Sequence, residues 1–128
     1  MNSALEGPIE LSLPADSRVL RLVRLVASGL ASIVGLDVDA LDELRIGIDE
    51  AVAALLEGGD GSRLELRFDV DDDALRLVGS TPAGDAGFDD DRVELSTQLL
   101  AAVCDEHRLE IVDGRVHVGL TKRRAPAA

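Results

Sequence analysis

Glu50 is the one acidic side chain whose surroundings in the sequence single it out. It lies in the stretch LDVDALDELRIGIDEAVAALLEG, residues 36–58. There Leu41, Leu44, Ile48, Ala51, Val52 and Leu55 recur at helical spacing and form an apolar face. Glu50 falls on the far side of that face, with Ile46, Ala53 and Ala54 one turn either way. Two readings follow. One is a solvated surface carboxylate, the usual fate of Glu. The other is a carboxylate in a second, half-apolar cleft, where burial and neighbours could tune it for acid–base work. Other groups able to do chemistry are sparse. Ser96 and Thr97 have no base near them in the sequence. His107, His117 and Cys104 could suggest zinc, but their spacing fits no closed ligand set. The glycines of EGGDGS (57–62) follow a helix, whereas a phosphate cradle leads into one. The segment from Thr81 to Phe88, TPAGDAGF, does precede a helix, but Asp85, Asp89, Asp90 and Asp91 crowd it. Without a metal those charges would repel a triphosphate. No nucleophile, base and orienting group can be assembled.

A second constellation concerns binding. Between Asp16 and Val34 the sequence predicts a helix capped by Asp16 or Ser17. Val19, Val23, Val26, Leu30 and Val34 make its apolar face, widened by Leu20, Leu22, Ala27 and Ile33. The opposite face carries Arg18, Arg21, Arg24, Ser28 and Ser32, with Leu25 among them. Arginine is favoured at protein interfaces because its planar fork pairs carboxylates and also packs apolar surface. An outward leucine adds a small anchor. An ordinary solvated face is the competing reading.

Composition limits the alternatives. The 128 residues suit one domain, 1–128, with loose ends at 1–8 and 122–128. Apolar residues make up 46% of the chain, so it has the means to fold. There are two Phe and no Trp or Tyr, which excludes aromatic stacking on bases as a main activity. A net charge of −12 argues against a general binder of nucleic acid or anionic membrane. A single cysteine allows no internal disulfide. No signal peptide or membrane-spanning run is visible, and a cytoplasmic location is the expectation.

These residues must be positioned by a short series of elements. IELSL (9–13) alternates like a half-buried strand. Two helices follow, the second from about Asp39 to Glu57. Arg63 to Val70 and Ala74 to Gly79 alternate around the turn residues Asp71, Asp72 and Asp73. A loop from Ser80 to Asp90 leads to a third helix, about Arg92 to Cys104, with Val93, Leu95, Leu99, Leu100 and Val103 apolar. His107 to Val112 and Val116 to Thr121 flank Asp113-Gly114, a strong hairpin signal. The tail KRRAPAA reads as basic and then disordered. The expected fold is α+β: a two-layer sandwich, mainly antiparallel sheet with helices on one face.

The order of elements, together with PADSRVLRLVRLVASGLASIVG and DELRIGIDEAVAALLEG, resembles the anti-sigma factor serine kinases of bacteria. These are the small single-domain branch of the GHKL (Bergerat-fold, histidine-kinase-ATPase-like) proteins. The resemblance runs from about Ile9 to Glu57 and resumes at the two hairpins and the ending VHVGLTKRR. It implies a protein that binds a sigma factor, a STAS-domain antagonist that competes, a homodimer, and a kinase that phosphorylates the antagonist on serine.

Carried across residue by residue, the resemblance places Arg24 on a first-helix arginine that contacts both partners, and so supports Arg21, Arg24, Leu25 and Ser28 as a partner-binding face. It places Glu50 on the catalytic glutamate. Four residues on, where the family holds magnesium through an asparagine, this chain has Ala54, which offers no oxygen to a hard cation. About Thr81 stands where an aspartate reads adenine. About Glu94 and Ser96 replace glycines that face the phosphates, and the lid is short. The expectation is therefore a regulator of transcription that works by protein binding. Its ATP site is degenerate, with no nucleotide, no metal and no catalytic residue. The alternative is an active kinase using ATP and magnesium, with Glu50 as base.

Overall fold

The computed structural model describes residues 5–126. The first strand, β1 (Ile9–Pro14), ends at its proline. The Asp16 carboxylate then accepts from the Arg18 amide and opens a 3-10 turn, Ser17–Val19, that runs into α1 (Leu20–Val34). The next helix, α2 (Val38–Gly58), is capped by Asp37, whose side chain accepts from the Ala40 amide. Two strands follow, β2 (Arg63–Val70) and β3 (Ala74–Pro82). At their turn Asp71 Oδ1 accepts from the amides of Asp73 and Ala74, which confirms these aspartates as turn residues. The third helix, α3 (Asp90–Val103), is capped by Asp89. The chain closes with β4 (Glu106–Val112) and β5 (Arg115–Arg123). Asp113 (φ 52°) and Gly114 (φ 74°) both take left-handed backbone, as the two-residue hairpin turn requires.

The five strands form one antiparallel sheet in the order β1-β2-β3-β5-β4. Alternation sends Leu64, Leu66, Phe68, Leu75, Leu77, Val116, Val118 and Leu120 to one face. Val23, Leu30 and Val34 of α1 and Leu44, Ile48, Val52 and Leu55 of α2 pack on that face. The expected α+β sandwich is thus the observed architecture. No helix among the described residues is long and apolar enough to cross a membrane.

Several expectations need correction. Leu22 and Ile33 do not widen the core stripe of α1; both are exposed. On α3, Leu95 and Leu99 also face outward, and Leu100 is the buried anchor. That helix flanks α2 at the border of the core, so only a narrow stripe is covered. The strand β3 continues to Pro82, three residues into the expected loop. Lys122 and Arg123 are not tail: both lie in β5, and the buried Lys122 ammonium donates to the Val103 carbonyl at 3.0 Å. Part of each loose end, residues 1–4 and 127–128, lies outside the described residues.

Candidate functional site

Two sites come from this frame, one on each side of α2. The first is built on α1. Arg21, Arg24 and Leu25 project from its outer face, and Leu25 is 66% exposed. With Ser28 of α1 and Arg45 and Asp49 of α2 they line a shallow depression of about 410 Å³. All four residues of the expected partner-binding face therefore converge on one concavity. Arg24 is not free, however. Its Nε and Nη2 donate to the two carboxylate oxygens of Asp49 at 2.7 and 2.6 Å, a fork-to-fork pair. These hydrogen bonds hold the Arg24 guanidinium above its ordinary pKa. Among the described residues Arg21 has no ion-pair partner, and Arg45 makes only a long contact of 3.8 Å to Asp42. Asp49 was missed in the sequence. The signal was faint: it sits twenty-five residues from Arg24, and only the packing of α1 on α2 brings them together.

The second site lies between α2 and α3. Glu50 is not a solvated carboxylate. Its side chain is 13% exposed, and Oε1 accepts from Arg92 Nη1 at 2.7 Å and from the Ser96 hydroxyl at 2.6 Å. Ser96 therefore does have a carboxylate beside it, contrary to expectation. It is fully buried, and its oxygen also accepts from Arg92. The Arg92 Nε donates to Glu57, two turns further along α2. Glu50, Ala54 and Glu57 share one stripe of α2 at i, i+4 and i+7, so the guanidinium spans the turn that carries Ala54. Burial opposes the charge on Arg92, but the hydrogen bonds it donates to Glu57 and Glu50 outweigh it and raise its pKa.

Two of the other positions that the resemblance assigns to a nucleotide are closed as well. Ala54 is fully buried. Thr81 is fully buried too, and its hydroxyl donates to the Arg63 carbonyl at 2.7 Å. Glu94 is exposed on α3, with a 3.4 Å contact from Gln98. The segment between β3 and α3 is zipped to the end of α2: Gly84 N donates to Gly58 O at 2.8 Å, and Asp60 N to Pro82 O at 2.8 Å. The Phe88 ring lies directly against Gly58, where a Cβ would collide with it. What remains beside this cluster is an open, acidic hollow bordered by Glu57, Asp60 and Asp85.

The remaining chemical candidates do not assemble. His107 pairs with Leu120 and His117 with Glu110, so the two imidazoles stand on opposite faces of the sheet. Among the described residues no three His, Cys, Asp or Glu side chains converge as a metal site. Cys104 is buried, and burial, only partly opposed by the Lys122 charge, pushes its thiol up to about 11.

No family model matches the chain. It is similar to curated proteins named serine-protein kinase RsbW. The one from Bacillus velezensis is 28% identical over 102 residues, which is 77% of this chain and 64% of that protein. That from Bacillus subtilis is 29% identical over 103 residues, with the same coverage. A shorter match, 31% over 75 residues, joins 55% of the chain to 47% of the Staphylococcus epidermidis protein. The chain thus spans somewhat less than two-thirds of the length of these relatives. Among solved structures it resembles the RsbU and RsbW domains of Rv1364c from Mycobacterium tuberculosis. The TM-score there is 0.71 over 92% of this chain and 32% of the other, at 22% identity, a likeness of fold.

Proposed function

We propose that this chain, a relative of proteins named serine-protein kinase RsbW, is an anti-sigma-factor-like regulator that acts by binding. Its partners are a sigma factor, a STAS-domain antagonist, or both in competition. The reading is supported above all by the convergence of Arg21, Arg24, Leu25 and Ser28 on one exposed concavity. An apolar anchor ringed by guanidinium groups suits a partner surface that offers a small apolar side chain beside carboxylates. Asp49 sets a condition on that partner. A carboxylate that takes Arg24 must compete with one already held at 2.6 Å, whereas Arg21 is open. A homodimer is carried by the resemblance alone.

The names of the relatives speak for a kinase, and the alternative reading keeps Glu50 as its base. The donor set of this chain speaks against it. A magnesium ion needs oxygen ligands in near-octahedral array and brings phosphates with it. Here Oε1 of Glu50 is engaged by the Arg92 cation and Ser96, Ala54 supplies no oxygen, and Thr81 is bonded to the backbone. A magnesium nucleotide does not fit these residues, so the regulator works without one and without phosphorylating its partner.

The test is a binding assay of the full chain against the sigma factors and STAS-domain proteins of its own genome, with and without magnesium and ATP. One of them should bind wild type regardless of nucleotide. Arg24→Ala and Leu25→Asp should each weaken that binding by roughly tenfold or more, as truncation of an interface anchor does. Binding that requires ATP, or that both substitutions leave intact, refutes the reading.

A further inference from the structure

We propose that Arg92 is a resident cation that clamps the start of α3, and the segment before it, permanently onto α2. The space between the two helices is then held shut by the chain itself and does not open and close with a ligand. Three observations carry this. The guanidinium reaches two carboxylates of α2 at once, Glu50 at 2.7 Å and Glu57, and it also touches Ser96 of its own helix. The Glu50 arm of the contact is enclosed rather than superficial, with the Arg92 side chain 21% exposed and Glu50 13%, whereas the Glu57 arm lies at the rim, with Glu57 55% exposed. A charge-assisted pair shielded as the Glu50 arm is feels much less screening by salt than a surface pair. Finally, the clamp is backed on its N-terminal side by the Phe88 ring against Gly58 and by the amide of Gly84 on the Gly58 carbonyl. Gly84, Phe88 and Arg92 are therefore all held against the last turns of α2, the first two at Gly58 and the third at Glu57 and Glu50.

The chemistry of the cluster explains why the cation must stay. Glu50 and Glu57 lie two turns apart on one helix stripe, and Ser96 can donate only one proton, which goes to Glu50. Remove the guanidinium and the shielded Glu50 carboxylate keeps only the Ser96 hydroxyl, while Glu57, more than half exposed, turns to solvent. The space beside Glu50 then either opens to water or recruits another cation. With Arg92 in place it has reason to do neither. This inference concerns the state of the α2–α3 junction alone and stands whatever partner the α1 face binds.

Hydrogen–deuterium exchange on the full chain tests it. In wild type the amides from Gly84 to Val93 should be protected to the same degree with and without millimolar magnesium and ATP. Arg92→Met should speed their exchange by about tenfold or more while the amides of β2 and β3 keep their wild-type rates, which also shows that the variant is folded. The double variant R92M/E50Q separates the clamp from the stranded charge. Its segment exchange should remain fast although the buried carboxylate is gone. Wild-type protection that rises on adding magnesium–ATP overturns the proposal. So does exchange in R92M within twofold of wild type, or a return to wild-type exchange in the double variant.

Discussion

Restoring an asparagine at position 54 is the most direct challenge to a nucleotide-free site. If Ala54 lined an open cleft with one ligand missing, Ala54→Asn would be harmless and would recover a metal contact. The structure predicts the opposite. Ala54 is fully buried, beneath the turn that Arg92 spans between Glu50 and Glu57. Asparagine adds three heavy atoms to a closed space, and overpacking of that kind costs about 1–3 kcal/mol. Its amide also loses water, and an unmatched buried polar group costs about another 1–3 kcal/mol. The sum, about 2–6 kcal/mol, is a large part of the roughly 5–15 kcal/mol that holds a domain together. Urea unfolding followed by far-UV circular dichroism suits a chain without Trp or Tyr. At a slope of about 2 kcal/mol/M the midpoint should fall by at least about 1 M. A variant as stable as wild type within about 0.5 kcal/mol, and able to bind magnesium–ATP, would show that the site is open and the reasoning wrong.

Two further outcomes follow from the packing. Gly79 in β3 sits under α2, where a Cβ would stand 2.9 Å from both Leu55 Cδ1 and Leu66 Cδ2. Gly79→Ala should therefore destabilise by about 1–3 kcal/mol in the same unfolding assay, with the sheet otherwise intact. For Cys104 the folded thiol is raised from 9.0 to about 11, so the folded state holds its proton where the unfolded state has lost it. Its contribution is complete below about pH 9 and is lost as pH rises through about 11, a loss on the order of 2 kcal/mol. Cys104→Ser should flatten the stability profile over that range, and the wild-type thiol should resist disulfide reagents at pH 8 until the protein unfolds.

The architecture was largely legible because its signals are local. Asp113-Gly114 and Asp71 to Asp73 fix two hairpins through backbone chemistry that needs no distant partner. Asp37 and Asp89 cap their helices in the same way. Periodicity, however, reports direction and not depth. Leu22, Leu95 and Leu99 recur at helical spacing yet lie outside the covered stripe, because where one helix ends its contact with its neighbours is a tertiary matter. The site was legible in its residue types only. Glu50 stood out, but the cation that meets it is forty-two residues away on a different helix. The same holds for Arg24 and Asp49, joined only when α1 lies on α2.

The placement of β1 has a consequence for how the arginine face of α1 is held. This strand precedes both helices in the sequence, yet it pairs with β2, Ile9 against Phe68, beyond them. It is at once an edge strand and a long-range partner. Loop-closure entropy makes such pairing slow compared with the hairpin of β4 and β5. Its end, Pro14, leads directly into the Asp16 turn that launches α1. The arginine helix is therefore moored at its first turn by the sheet's outermost seam. The β1–β2 seam and the Arg24–Asp49 pair thus fix the α1 face to the rest of the fold at two separate points.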